Sequence, residues 1–204
     1  FKEDTLKKDI QRLKKEEIIY EAGRGWYSTI KRTFLLNTKP VEKIVELIKN
    51  KFPFLEFSCW STEQLKGFFH HLPSRFVTFI YADKEILQSL KDFLTDNDYN
   101  VYLNPYKIEA EKYVELKDRT VILRPFVFPR KAKRELMASI EKILVDLFME
   151  NKKIKLMDLV EYKRIVSNIL LNYRINMPML LDYADRREIW EEIKHVINEI
   201  TKIH

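Results

Sequence analysis

The sequence predicts an α+β chain in which a partial winged helix-turn-helix is followed by a mixed α/β domain that ends in a helical subdomain. Three observations predict it. Near the start of the chain, a basic amphipathic helix stands directly before a short glycine-bearing hairpin. β-rich runs then alternate with helical periods up to residue 123. From residue 134 onward the apolar spacing is helical throughout. The expected domains are 1–38, holding a recognition helix and wing, and 39–204, with 134–204 as its helical part.

Residues 4–16 read as the first helix. Asp4 is placed to cap it, with Glu3 and Asp4 at its positive end and Lys14 and Lys15 at its negative end. Leu6, Ile10 and Leu13 fall at i, i+4 and i+7 and make one apolar stripe, expected to enter a core. Lys8, Gln11, Arg12 and Lys15 then point away from it. Ile18-Ile19-Tyr20 and Trp26 to Ile30 flank a turn whose Gly23 and Gly25 can take positive φ, so a hairpin with Arg24 near its tip follows. A basic helix followed directly by such a hairpin is the back half of a winged helix-turn-helix. There the helix enters the major groove and the hairpin lies against the neighbouring backbone. The chain opens on Phe1 rather than Met, and the helices that precede a recognition helix are expected upstream of it.

Pro40 opens the next helix, whose Val41, Ile44, Val45 and Ile48 keep helical spacing over 41–51. Leu55 to Trp60 reads as a strand, Thr62 to Leu65 as a short helix and Phe76 to Tyr81 as a buried strand. A helix over 84–94 and strands at Tyr99–Leu103 and Thr120–Leu123 complete the layer. Leu136, Met137, Ile140, Leu144, Leu147 and Phe148 then line one helical face, and further helices are expected near 156–171, 177–185 and 187–204.

The chain carries 37 Lys/Arg against 31 Asp/Glu, a net charge of +6. Residues 1–39 hold ten of the basic and six of the acidic residues, so a fifth of the chain bears +4 of that excess. Such asymmetry is the footprint of a nucleic-acid contact, with a solvated Lys-rich helix as the alternative. The three glycines, Gly23, Gly25 and Gly67, cannot build a P-loop or a dinucleotide fingerprint. No stretch approaches the ~18 apolar residues of a membrane span, and no secretory signal pattern opens the chain. The single cysteine, Cys59, excludes an intramolecular disulfide and a Cys-based zinc site, and points to a reducing, cytoplasmic compartment.

Few side chains suggest catalysis. Mg²⁺ needs clustered oxygens, and the Asp96-Asn97-Asp98 run reads as a polar turn. His70 and His71 are adjacent, so on a helix they point ~100° apart and do not grip one ion easily; one packed and one exposed histidine is the expectation. His195 and His204 fall in the last helix. Cys59 is expected as a small buried hydrophobe, with a Cys-His pair as the alternative. Lys142 and Asp146 at i, i+4 read as a helix-surface pair, or as part of a pocket if their helix is buried on both sides. Arg186 and Arg187 read as a connector held by Asp182 and Asp185, or as an anion pocket. Arg130, Lys131, Lys133 and Arg134 form a basic loop after Pro125–Pro129.

Taken together, Thr5-Leu6 through Leu13-Lys14-Lys15, Ile18-Ile19 and Gly23-Arg24-Gly25-Trp26-Tyr27-Ser28 resemble the recognition helix and wing of the AbiEi-type antitoxins of abortive-infection (type IV) toxin–antitoxin systems. Glu141 to Leu147, Asn172-Tyr173-Arg174-Ile175-Asn176 and Tyr183-Ala184-Asp185-Arg186-Arg187 resemble segments of the same family further on. The resemblance implies an antitoxin and autorepressor that binds double-stranded operator DNA, with self-association on it. It also implies a degenerate, non-catalytic, nucleotidyltransferase-like C-terminal domain that opposes a nucleotidyltransferase toxin without a stable complex. No cofactor or metal is expected. Under this reading Gln11 and Arg12 read bases beside Lys8 and Lys15, while Lys7, Lys14 and Arg24 hold phosphates. Lys142, Asp146, Arg186 and Arg187 mark a C-terminal functional face. The rival readings are a divergent nucleotidyltransferase or nucleotide-binding protein using Asp83, Asp146 and Lys142, and a module that holds a protein partner through its helical half.

Overall fold

The computed structural model describes residues 3–126 and 136–202. In chain order the elements are α1 (Glu3–Lys15), β1 (Tyr20–Glu21), β2 (Tyr27–Ser28), α2 (Lys39–Lys51), β3 (Phe57–Ser61), β4 (Val77–Ala82), α3 (Leu87–Asp96), β5 (Asn100–Leu103), α4 (Lys107–Tyr113) and β6 (Thr120–Pro125). Four helices follow: α5 (Ile140–Ile154), α6 (Leu159–Asn172), α7 (Met177–Arg186) and α8 (Trp190–Lys202). The fold is α+β with a small mixed sheet. No described helix is long and apolar enough to cross a membrane.

The chain folds into two compact units. One joins Phe1–Leu35 to Ile140–Val145 and Ile165–His204; the other joins Leu36–Ser139 to Asp146–Arg164. This grouping differs from the boundary expected at 38/39. Within the first unit, the backbone itself ties residues 22–34 to 174–177: Met177 N–H donates to Ala22 O at 3.0 Å and Arg174 N–H to Arg32 O at 2.7 Å.

The second unit is built on a sheet in the order β3-β4-β6-β5. β3 runs antiparallel to β4, while β4, β6 and β5 are parallel. Alternation sends Phe57, Cys59, Ile80, Ala82, Val121 and Leu123 to one face, where they pack with α2 and α3. Those helices carry Val41, Ile44, Val45 and Ile48, and Leu87, Leu90 and Leu94, at the spacing that makes one apolar stripe. On the opposite face Trp60 stacks on Phe79, their ring centroids 4.5 Å apart. Ser61 caps the 3₁₀ segment Thr62–Phe68 through a capping box with Gln64.

Several expectations need correction. Residues 136–138 are not helical but run beside β3, with Cys59 N–H donating to Leu136 O at 2.8 Å and Ala138 N–H to Cys59 O at 3.0 Å. An otherwise open sheet edge claims this apolar segment. Residues 84–86 form a 3₁₀ turn before α3. The last helix starts at Trp190, not 187, because Glu188 takes φ +57°. Helix α4 was not expected; Ile108 and Tyr113 on it are both exposed, and none of its described side chains is buried. No residue of the described part of α1 is buried: Leu6 is 53% exposed and Ile10 and Leu13 are half-buried. Among the described residues of the first unit, the buried apolar ones are instead Ala22, Ile175, Ile189 and side chains of α5 to α8.

Candidate nucleic-acid interface

The basic residues of α1 lie open to solvent. Lys7, Lys8, Gln11, Arg12, Lys14 and Lys15 are all exposed. Lys8, Gln11, Arg12 and Lys15 recur at i, i+3, i+4 and i+7, so they share one helical face. Arg12 stands 3.4 Å from Asp9, and Lys14 Nζ donates to Glu21 of β1 at 3.2 Å. Exposed pairs of this kind are worth ~0–1 kcal/mol and are readily exchanged for a phosphate.

The chain turns sharply after α1. Glu17 takes φ +55°, and Ile18 N–H donates to Leu13 O at 3.0 Å. Lys31 Nζ lies 2.5 Å from the Glu17 carboxylate; this hydrogen bond and its charge lower the Glu17 pKa and raise that of Lys31. The hairpin then forms as expected, with Tyr20 opposite Ser28 and Glu21 opposite Tyr27. Gly23 and Gly25 take φ +109° and +78°, a region closed to most side chains, and the exposed Arg24 lies between them. The exposed Lys14–Glu21 and Lys31–Glu17 pairs run from the end of α1 and its turn to the hairpin and its outlet, and at this exposure they add little to its placement. Trp26 and Tyr27 add exposed aromatic surface.

The residues of the expected C-terminal face are placed differently. Asp146 is only 3% exposed and Lys142 is half-buried, so a solvated surface pair is not the arrangement. No residue of α5 from 140 to 150 is exposed: Ile143, Leu144, Val145, Leu147 and Phe148 are buried over one broad arc of the helix, and Asp146 and Glu150 are buried in the remaining arc. Arg186 is exposed and paired with Asp182. Arg187 is buried, its guanidinium 6.0 Å from the Tyr183 ring centroid.

Cys59 is fully buried, and desolvation pushes its thiol pKa up. His70 and His71 stand ring edge to ring face at 4.2 Å; neither is buried, where one packed ring was expected. His195 pairs with Glu199 at 3.0 Å on the exposed side of α8. Asn97 and Asp98 turn the chain after α3, with Asp98 at φ +62°. Asp83 follows β4 at the carboxyl edge of the parallel strands. Among the described residues no three His, Cys, Asp or Glu side chains gather to hold a metal. His204 and the basic loop of Arg130, Lys131, Lys133 and Arg134 lie outside the described residues.

One cluster in the second unit had no sequence expectation. Arg124, at the end of β6, is buried and donates from Nε and Nη2 to Glu150 Oε2 at 2.9 and 2.6 Å. Its Nη1 reaches Pro105 O at 2.7 Å and Asn104 Oδ1 at 3.1 Å. Tyr81 OH donates to the other Glu150 oxygen at 3.2 Å, and Lys153 stands 3.3 Å from it. Desolvating a charge pair is costly, and hydrogen bonds on all sides offset that cost. The cluster binds strand to helix and seals both Arg124 and Glu150 from solvent. The only hint in the sequence is one arginine directly after the apolar run Val121–Leu123.

Residues 5–203 match the model of a protein family described as "Family of unknown function (DUF6577)". No curated protein and no solved structure matches the chain.

Proposed function

The chain belongs to DUF6577, and we propose that it is a cytoplasmic DNA-binding regulator of the antitoxin type. In this reading α1 and the hairpin are the recognition helix and wing of a winged-helix module that binds operator DNA. The single observation that carries it is the exposed row Lys8, Gln11, Arg12 and Lys15 on one face of α1, directly followed by a hairpin with exposed Arg24 at its tip. Gln11 and Arg12 offer amide and guanidinium groups to base edges. Lys7, Lys14 and Arg24 supply the phosphate contacts that set register. The remainder of the chain is a non-catalytic, nucleotidyltransferase-like domain that opposes a nucleotidyltransferase toxin without holding it in a stable complex. The sequence supports the non-catalytic assignment, since Asp96-Asn97-Asp98 reads as a polar turn and not as the clustered oxygens that Mg²⁺ needs.

Substitution tests the assignment. Arg12→Ala combined with Lys15→Ala removes two cations from the groove face. Affinity for the DNA upstream of the gene should fall by roughly 100-fold or more, since each good contact is worth about 1–3 kcal/mol. Unchanged affinity would show that α1 is a solvated helix and not a reading head.

A further inference from the structure

We propose that the segment Arg174–Pro178 is the mount that positions the DNA-binding hairpin, so that DNA recognition depends on residues about 150 positions downstream of it. The proposal rests on the reading of α1 and the hairpin as DNA contacts.

The hairpin needs such a mount. Each of its strands has two residues. An isolated two-stranded hairpin is marginal in water even when longer. Its own pairing therefore cannot hold Arg24 in a fixed place relative to α1.

The C-terminal segment meets the hairpin and its outlet at three levels. The first is backbone. Met177 N–H donates to Ala22 O at 3.0 Å, Arg174 N–H to Arg32 O at 2.7 Å and Phe34 N–H to Arg174 O at 3.1 Å. The second is the Arg174 side chain. Its Nη2 donates to Thr33 Oγ1 at 2.9 Å and its Nη1 to Ile30 O at 3.4 Å, while its guanidinium lies 5.1 Å from the Tyr20 ring centroid. One planar fork thus touches β1 and the strand outlet together, which a point charge such as lysine cannot do. The third is close approach. A Cβ on Gly23 would stand 2.5 Å from Asn176 Oδ1 and 2.6 Å from Pro178 Cδ. Neither atom gives way cheaply. Asn176 Oδ1 accepts from Met179 N–H as the cap of α7, and Pro178 is fixed in the first turn of that helix. A Cβ on Gly25, two residues on, would meet nothing within 4 Å.

Gly23, Arg174 and Asn176 are accordingly positioning residues; they act on DNA only through Arg24 and its neighbours. The test uses the full chain and two readouts. The first is hydrogen exchange of the Met177 amide, which reports the mount without DNA. The second is a salt-dependent titration with the duplex upstream of the gene, against a scrambled duplex. Gly23→Ala and Arg174→Ala should both expose the Met177 amide to exchange. They should weaken binding roughly tenfold and lower the salt slope by about one, the loss of a single phosphate contact. Gly25→Ala, which carries a similar backbone strain but meets no neighbour, should keep the Met177 amide protected. Arg174→Lys keeps the charge and loses the fork, and it should fall between wild type and Arg174→Ala in both readouts. It also serves if Gly23→Ala does not fold. If wild type prefers its upstream duplex and these variants match it in affinity and slope, the mount is wrong and the DNA reading stands. If wild type shows no preference for that duplex, the DNA reading fails and takes this proposal with it.

Discussion

At the scale of single residues, burial separates groups that hold the fold from groups that meet solvent. Arg124 and Glu150 are 1% and 0% exposed and bonded to each other twice. Removing one partner leaves a charge in a low-dielectric site. Arg124→Met should therefore cost ~3 kcal/mol or more in urea unfolding, whereas Arg124→Met with Glu150→Leu should restore much of it. Cys59 and Tyr162 are both fully buried, and desolvation raises both pKa values. A group with a raised folded pKa favours folding fully below its unfolded pKa and loses that contribution as pH rises above it. Stability should then decline as pH climbs past the ordinary thiol and phenol values of 9.0 and 10.0, measured as thermal midpoints. The same burial should keep Cys59 unreactive to alkylation until the chain is unfolded. The burial of Cys59 was legible, since free cysteine in an apolar strand is a small hydrophobe. The Arg124–Glu150 pair was not, because its members lie 26 residues apart and nothing local joins them.

At the scale of elements, local patterns carried most of what was legible. Val77–Ala82 is a β-branched and aromatic run, and α2 has a Pro in its first turn and four regularly spaced apolar residues. Both stand close to where periodicity and start signals put them. The hairpin followed from two glycines that both take positive φ. α4, whose described side chains are all exposed, left no such trace. Residues 136–138 misled in the other direction: Leu136 and Met137 fit a helical face, but the edge of β3 bound their backbone first. The burial of α5 over residues 140–150 follows the alternative its Lys142–Asp146 pair left open, a helix covered on both sides, rather than a one-sided stripe. Ile143→Ala, at a fully buried position on α5, should cost about 2–5 kcal/mol in chemical unfolding. By contrast, Lys8→Ala or Lys15→Ala on exposed α1 should change stability by less than about 0.5 kcal/mol.

At the scale of the whole molecule, the chain is interlaced. Its first 35 residues share a compact unit with 140–145 and 165–204. A sequence boundary at 38/39 could not show this, because the bonds from Arg174 to Ile30 and Thr33 span 144 and 141 residues. A fragment of residues 1–38 should accordingly give a largely unfolded circular dichroism spectrum, since Ala22 and the hairpin lose the segments that enclose them. The charge asymmetry, in contrast, was plain in the sequence and persists as an exposed surface on α1. Function therefore turns on what that surface meets. The most direct measurement is a titration of the full chain with the duplex upstream of its gene and with a scrambled duplex, repeated across salt concentrations. A DNA-binding regulator should clearly prefer the upstream duplex and lose affinity steeply with salt, in proportion to the phosphates neutralised. Equal weak binding to both duplexes would contradict that function and would leave α1 as a solvated helix.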